Sequence, residues 1–483
     1  MNLFSALTDH LAPADVFLET SDRLWTFGDI VELSSVIGGG LVAAGVGAGD
    51  RVVVVLEKSA YAVALYLACL RIGAIFVPLN PAYTASEISY FVGDAKPAVV
   101  VATEPWPDMT TLILNRNGSG TLLQADHRFD TVVDRTPTDI AALLYTSGTT
   151  GEPKGAMLTH GCLLENARTL FEIWQWQPDD VLLHALPIFH VHGLFVALHC
   201  ALLGGSRVVF LDRFDSDTVR DFLPSATVMM GVPTYYTRLL TNPAFGPSDC
   251  VNMRLFISGS APLSEAAFFA FRSRTGHTIL ERYGMTEAGM ICSNPYDGER
   301  LAGTVGFPLP RYLLRVADGH DQALPAGEVG ILQIQGPSLF GGYWKRPEQT
   351  AESFTSDGYF RTGDLARSDT DGRISLLGRS HDLIVTGGFN VYPKEVERVL
   401  NEVPGVVESA VVGAPDADLG EIPVAFVVGD CEEAALRTHA DRHLARYKQP
   451  RRYEFLDAIP RNAMGKVQKS HLRSRESDPG MFF

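Results

Sequence analysis

The 483-residue chain reads as an α/β protein with a large N-terminal part and a smaller α+β C-terminal part. Three observations lead there: β-branched runs alternating with helical stretches, a change of texture after Gly303, and a second change after Arg379. The runs Arg51 to Leu56, Ala98 to Ala102, Arg207 to Leu211 and Thr227 to Gly231 are apolar at nearly every position and not merely at every second one. Strands of that kind are buried on both faces, the condition of a parallel sheet covered by helices. Helical stretches at Ala60 to Ile72, Leu163 to Trp174 and Ser264 to Thr275 supply the crossovers that parallel strands require.

Beyond Gly303 the strands shorten and glycines close in around them, as in Gly330-Ile-Leu-Gln-Ile-Gln-Gly336, and Asp371-Gly372 supplies hairpin turn chemistry. This predicts a small antiparallel or β-barrel-like unit. From Pro393 the pattern is a helix (Lys394 to Val403), strands at Val406 to Gly413 and Val424 to Val428, a polar helix from Glu432 to Ala445 and a basic tail. A boundary between Gly378 and Asp382 divides the chain into domains 1–378 and 379–483.

The net charge of −16 leaves no general basic face for a phosphodiester backbone, so the composition speaks against a nucleic-acid partner. Small polyanions need only local positive groups. Cys69, Cys162, Cys200, Cys250, Cys292 and Cys431 are scattered, without a CxxC pair or metal-ligand spacing, which predicts reduced thiols. No basic residue precedes Arg23, and no segment reaches the ~18 apolar residues of a bilayer crossing. The expectation is a cytoplasmic protein without membrane insertion, monomer or homodimer.

After the apolar strand Ile140 to Tyr145 comes Thr146-Ser-Gly-Thr-Thr-Gly-Glu-Pro-Lys-Gly155. Three glycines, four hydroxyl side chains and a lysine suit a loop that wraps phosphate oxygens with backbone N–H groups and hydroxyls. It is no Walker A loop, because Pro153 precedes Lys154 and Gly155 follows it. The decapeptide resembles the phosphate-binding signature of the acyl-adenylate-forming superfamily, which includes acyl-CoA synthetases, luciferases and peptide-synthetase adenylation domains. Four further segments are similar to that family's motifs, in its order: Arg282-Tyr-Gly-Met-Thr-Glu287, Arg361-Thr-Gly-Asp364, Gly378-Arg379 with Gly387-Gly-Phe-Asn390, and Pro460-Arg-Asn-Ala-Met-Gly-Lys466.

The resemblance implies an enzyme that uses ATP, Mg²⁺ and coenzyme A. It places Thr146, Ser147, Gly148, Thr149, Thr150 and Lys154 on the β- and γ-phosphates, Thr286 on the α-phosphate, and Mg²⁺ on Glu287 with Thr150. It puts adenine against Gly259-Ser260-Ala261-Pro262 and Tyr283, and the ribose on Asp364 and Arg379. Lys466 is the implied catalytic lysine, carried by a mobile C-terminal domain that swings about a hinge at His381 and brings Gly387 and Gly388 to the thiol tunnel. Relatives commonly have Asp or Lys at that hinge, and a histidine there suggests pH sensitivity near neutrality.

The acid is not specified by these motifs. Arg282 stands where many relatives that take neutral acyl groups have an uncharged residue, and Arg238 follows a strand expected to wall the acyl pocket. Leu186-Pro-Ile-Phe-His190-Val-His192-Gly193 resembles the corresponding segment of malonyl-CoA synthetases, and Met290 is placed at the far end of the pocket. Malonate is the expected acid. Alternatives are another acid (methylmalonate, oxalate, a fatty or aryl acid) or transfer to a separate carrier protein. Each pocket residue also has a plain structural use: Arg282 paired with Glu281, Arg238 capping its helix, the histidines packed, Met290 in the core.

Overall fold

A computed structural model describes residues 1–124, 127–146, 153–462 and 465–477. Residues 51–159 form a six-stranded sheet in the order Thr111–Ile113, Val99–Ala102, Arg51–Val55, Ile75–Pro78, Ile140–Thr146, Lys154–Thr159. Only the last pair is antiparallel. A nine-stranded sheet is parallel from Leu280–Met285 through Leu255–Ser258, Val228–Gly231, Val181–His184 and Arg207–Phe210 to Val16–Glu19, with antiparallel strands at both edges. The β-branched runs thus occupy the parallel interiors, as their unbroken apolar character requires.

The Ala60–Ile72 helix belongs to the core that both sheets share. All but one of its residues are buried, which a helix apolar around its whole circumference requires. Ser59 caps it by accepting from the Ala62 N–H, and Gly73 ends it in the left-handed region (φ 73°), where a side chain would be strained. The region after Gly303 is a four-stranded antiparallel meander, Leu313–Ala317, Val329–Gln335, Phe360–Ser368 and Ile374–Arg379. Its last hairpin turns through Asp371-Gly372, with Gly372 at φ 91°.

Residues 384–472 carry hydrophobic cores of their own, one around Val396, Val411 and Leu436 and one around Val412, Phe426 and Leu472. This part meets the larger one where Lys394 Nζ donates to the Leu376 carbonyl at 2.8 Å and where Gly465 lies against Thr234. All six cysteines are free thiols, and no helix among the described residues is long and apolar enough to cross a membrane.

The arrangement positions the site through the directions of the parallel strands. Strands ending at His184, Gly231, Ser258 and Met285 run the same way, so the segments after them, at His190–Gly193, Pro233–Thr241, Gly259–Pro262 and Thr286–Glu287, gather at one sheet edge. Carboxyl ends of parallel strands are where open α/β sheets place their ligands. Leu65 is fully buried in the central helix. Leu65→Ala should destabilise the N-terminal part by about 2–5 kcal/mol, read as a lower denaturant midpoint with unchanged far-UV circular dichroism.

Candidate active site

At the phosphate end, Thr146 and Lys154 face each other across the Ile140–Thr146 and Lys154–Thr159 hairpin. Ser147, Gly148, Thr149 and Thr150 lie outside the described residues. The flanks are anchored, with the Tyr90 hydroxyl donating to the Pro153 carbonyl at 2.9 Å and the Trp344 N–H to the Gly155 carbonyl at 2.8 Å. Glu287 is buried, and its Oε1 accepts from the Tyr343 hydroxyl (3.0 Å) and the Thr146 hydroxyl (3.4 Å). Lys154 Nζ stands 5.2 Å from the centre of the Tyr343 ring. Tyr343 therefore bridges the lysine and the carboxylate, a role with no motif signal in the sequence. The described residues hold no group of three or more His, Cys, Asp or Glu side chains suited to a metal. A lone carboxylate beside a phosphate loop fits Mg²⁺, which takes one or two protein carboxylates and fills its octahedron with phosphate oxygens and water.

The nucleoside end is built on two registered strands. Asp364 lies opposite Arg379, and the Arg379 Nε–Asp364 Oδ1 separation is 2.9 Å. The Tyr283 hydroxyl donates to the other oxygen, Asp364 Oδ2. Both carboxylate oxygens are thus presented side by side, each with a further lone pair for a diol. Ser260 is held at φ 70°, a left-handed conformation unusual for a residue with a side chain and typical of a ligand-shaping turn. Beneath this turn, Glu281 Oε1 accepts from the Leu263 N–H at 3.1 Å, while Oε2 is buried without a partner among the described residues. Burial pushes the Glu281 pKa up to about 7 against the pull of Lys394 and the Leu263 N–H. Sequence reading gave Glu281 only as a salt-bridge partner for Arg282.

Lys466 sits at the rim. Its loop is closed by the Asn462 N–H donating to the Lys466 carbonyl (2.9 Å) and the Lys466 N–H to the Asn462 side chain (3.0 Å). Partial burial and the Arg379 guanidinium lower the ammonium pKa, opposed by Asp364, Asp382 and Glu287. The influence of these four groups on one ammonium places Lys466 near Arg379, Asp364, Asp382 and Glu287.

A separate buried cluster centres on Arg282. This side chain is 3% exposed, and its Nε and Nη2 are buried without a hydrogen-bond partner among the described residues. It does not pair with Glu281: neighbours on a strand project to opposite faces, and the carboxylate goes to Leu263. A Cβ on Gly259 would stand 2.4 Å from the Arg282 guanidinium carbon, so only glycine leaves room for it. Burial lowers its pKa to about 10, which keeps it charged at neutral pH. His192 is buried nearby, held well below the ordinary imidazole range by burial and by Arg282, with Nδ1 3.2 Å from the Ser260 hydroxyl and Nε2 unpartnered among the described residues.

His192, more than His190, is the histidine of this pocket. His190 packs against Phe189 at 4.6 Å, and burial takes its pKa down to about 4. Arg238 does not join Arg282. It is exposed beside Asp215 and Asp217 in an outer hollow, because the helix turns about 200° between inward-facing Tyr236 and residue 238. Met290 is buried against Gly284, beneath the Tyr-Gly-Met-Thr-Glu segment. Thr286 is half-buried, Ala261 likewise, and Pro262 exposed. Gly387 and Gly388, at φ 55° and 82°, form the two-residue turn between Ile384–Thr386 and Phe389–Val391, and both are exposed away from the cleft. His381 is exposed and 3.7 Å from Asp382. Partial burial takes its pKa below the usual imidazole value, against the pull of Asp382, so its titration moves away from neutrality.

An AMP-binding enzyme family profile matches residues 7–344, and one for the AMP-binding enzyme C-terminal domain matches residues 395–466. The chain belongs to the AMP-binding enzyme family. This AMP-binding enzyme is 36% identical to malonate–CoA ligase of Arabidopsis thaliana, over 88% of its own length and 78% of the relative's. It is 35% identical to sulfoacetate–CoA ligase of Cupriavidus necator, over 94% of its length and 92% of that protein. It superimposes on ATP-bound MatB of Rhodopseudomonas palustris with a TM-score of 0.96 at 45% identity, covering 99% of each chain, against 0.84 for the apo form.

Glu281 makes the stability of the enzyme pH-dependent. Its pKa is raised in the fold, so the folded chain holds a proton that the unfolded chain releases near pH 4.5, and stability falls as pH rises from there to about 7. Glu281→Gln keeps the Leu263 contact and removes the titration. Its denaturant midpoint should match the parent's near pH 4.5 and exceed it at pH 8.

Proposed function

We propose that this enzyme is a malonate–CoA ligase, forming malonyl-CoA, AMP and pyrophosphate from malonate, ATP and coenzyme A through a malonyl-adenylate. The observation that carries the choice of acid is the buried, unpaired guanidinium of Arg282. An interior cation without an anion is strongly unfavourable, and a substrate with a second negative group removes that penalty by binding. With the Ser260 hydroxyl donating to Nδ1 of neutral His192, its Nε2–H is a second donor for the same carboxylate. Sulfoacetate, named for one relative, also carries a second anionic group, so it belongs in the comparison.

A carboxylate is a poor acyl donor because its leaving group would be oxide or hydroxide. Attack of the carboxylate on the α-phosphorus replaces that leaving group with AMP, and negative charge builds on the phosphoryl oxygens as two anions meet. Lys466 and Thr286 stand ready to stabilise it, with Lys154 on the departing pyrophosphate and Asp364 and Arg379 fixing the ribose. Mg²⁺ held by Glu287 would neutralise phosphate charge. The domain 379–483 then withdraws Lys466 by turning near His381, and the Gly387-Gly388 hairpin comes to the thiol channel, so that one lid serves both half-reactions.

AMP release with coenzyme A should be fastest for malonate among malonate, methylmalonate, succinate, sulfoacetate, acetate, octanoate and benzoate. Arg282→Ala should lower kcat/KM for malonate at least about 30-fold, the scale of losing one partner of a buried charge pair, while ATP binding by calorimetry stays unchanged. A parent enzyme that prefers acetate, octanoate or benzoate would refute the dicarboxylate reading. Lys466→Ala should abolish malonate-dependent adenylate formation yet still turn supplied malonyl-adenylate and coenzyme A into thioester.

A further inference from the structure

The wall that carries His192 is itself held by a buried charge far from it in sequence. Lys58, after the Arg51–Val55 strand, is 8% exposed, and its ammonium meets three acceptors: His184 Nδ1 at 2.7 Å, the His184 carbonyl at 2.8 Å and the Leu211 carbonyl at 2.6 Å. Three donors and three acceptors match, and the Phe210 ring lies 4.2 Å away. The Gly193 carbonyl beside Nε2 can only accept, so the proton of neutral His184 is on Nε2 and Nδ1 accepts from Lys58 Nζ. That Nε2–H donates to the Gly193 carbonyl at 2.9 Å.

Gly193 lies in the His192–Leu198 stretch, which is wound as a π-helix, a rare geometry concentrated at functional sites. A Cβ on Gly193 would stand 2.1 Å from the Pro187 carbonyl oxygen, so the segment folds back too tightly for any other residue. We propose that Lys58 and His184 are positioning residues for the acid pocket: Lys58 sets the proton of His184 onto Nε2, which pins the Gly193 carbonyl and with it His192 beside Ser260. The chain of contacts runs from the first sheet, through the end of a strand in the second, to the pocket wall. It meets the residues assigned to ATP only at its far end, where His192 Nδ1 lies 3.2 Å from the Ser260 hydroxyl.

The inference rests on the acid-pocket reading above. Its test therefore uses malonate or, should the parent enzyme prefer another acid of the panel, that acid, so failure of the substrate choice shows in the parent alone. Lys58→Met removes the donors and keeps the stem, His184→Leu removes both ring nitrogens, and His184→Gln restores an acceptor and a donor. Among variants with parental circular dichroism, Lys58→Met and His184→Leu should each raise the KM for the acid by about tenfold or more, the scale of a misplaced substrate-positioning group. The KM for ATP should stay within about twofold, the double variant should be no worse than either single one, and His184→Gln should recover most of the loss. Should Lys58→Met not fold, the His184→Gln and His184→Leu pair decides alone. An acid KM within about twofold of the parent, or acid and ATP KM rising together, would overturn the proposal and leave Lys58 as a tie between sheets.

Discussion

Burying a guanidinium costs several kcal/mol unless an anion meets it, and the described pocket around Arg282 supplies none, so its neighbours make room for an anion from outside. Gly259 gives up its side chain so that the guanidinium can pass. The Tyr236 hydroxyl, a potential partner, is spent on the Ile257 carbonyl at 2.6 Å. His192 is kept neutral and turned so that one ring nitrogen stays unpartnered. The adjacent Glu281 is sent to the other side of the strand, beneath the Ser260 turn. One dipeptide thus puts a cation on one face of its strand and an acid group on the other.

The opposite end of the cleft is charged in a different way. Lys154, Arg379 and Lys466 bring positive charge into a protein whose total is strongly negative, and Asp364 and Glu287 stand among them. Lys466 is exposed and held by a short loop on a part with separate cores. A cation on a separately packed part would, on the proposed reading, be withdrawn without unfolding anything. On the same proposed reading, fixed charge would select the acid and movable charge would serve the phosphate.

Much of this was legible in the chain. The unbroken Val-rich runs require parallel strands, and the helix at 60–72 follows from apolar residues on every face. The family motifs single out Asp364, Glu287, Lys154 and Lys466 as candidates, because a phosphate loop or a diol-binding carboxylate needs particular residue types in a short stretch. Arg282 was legible for a related reason: an arginine directly before the Tyr-Gly-Met-Thr-Glu motif is chemically conspicuous. The antiparallel texture after Gly303 was equally clear, though a meander and a barrel share the same alternation.

What local pattern does not carry is which faces meet. Arg238 and Tyr236 are two residues apart, and only packing decides that one faces solvent and the other the core. His190 and His192 are likewise indistinguishable in sequence until the π-helix turns one toward Ser260. Tyr343 reaches Glu287 across 56 residues, and Lys58 reaches His184 across 126. The residue types state the chemistry because it depends on groups that only those side chains possess. Their assembly into one site depends on contacts distant in the chain, and the fold alone settles those.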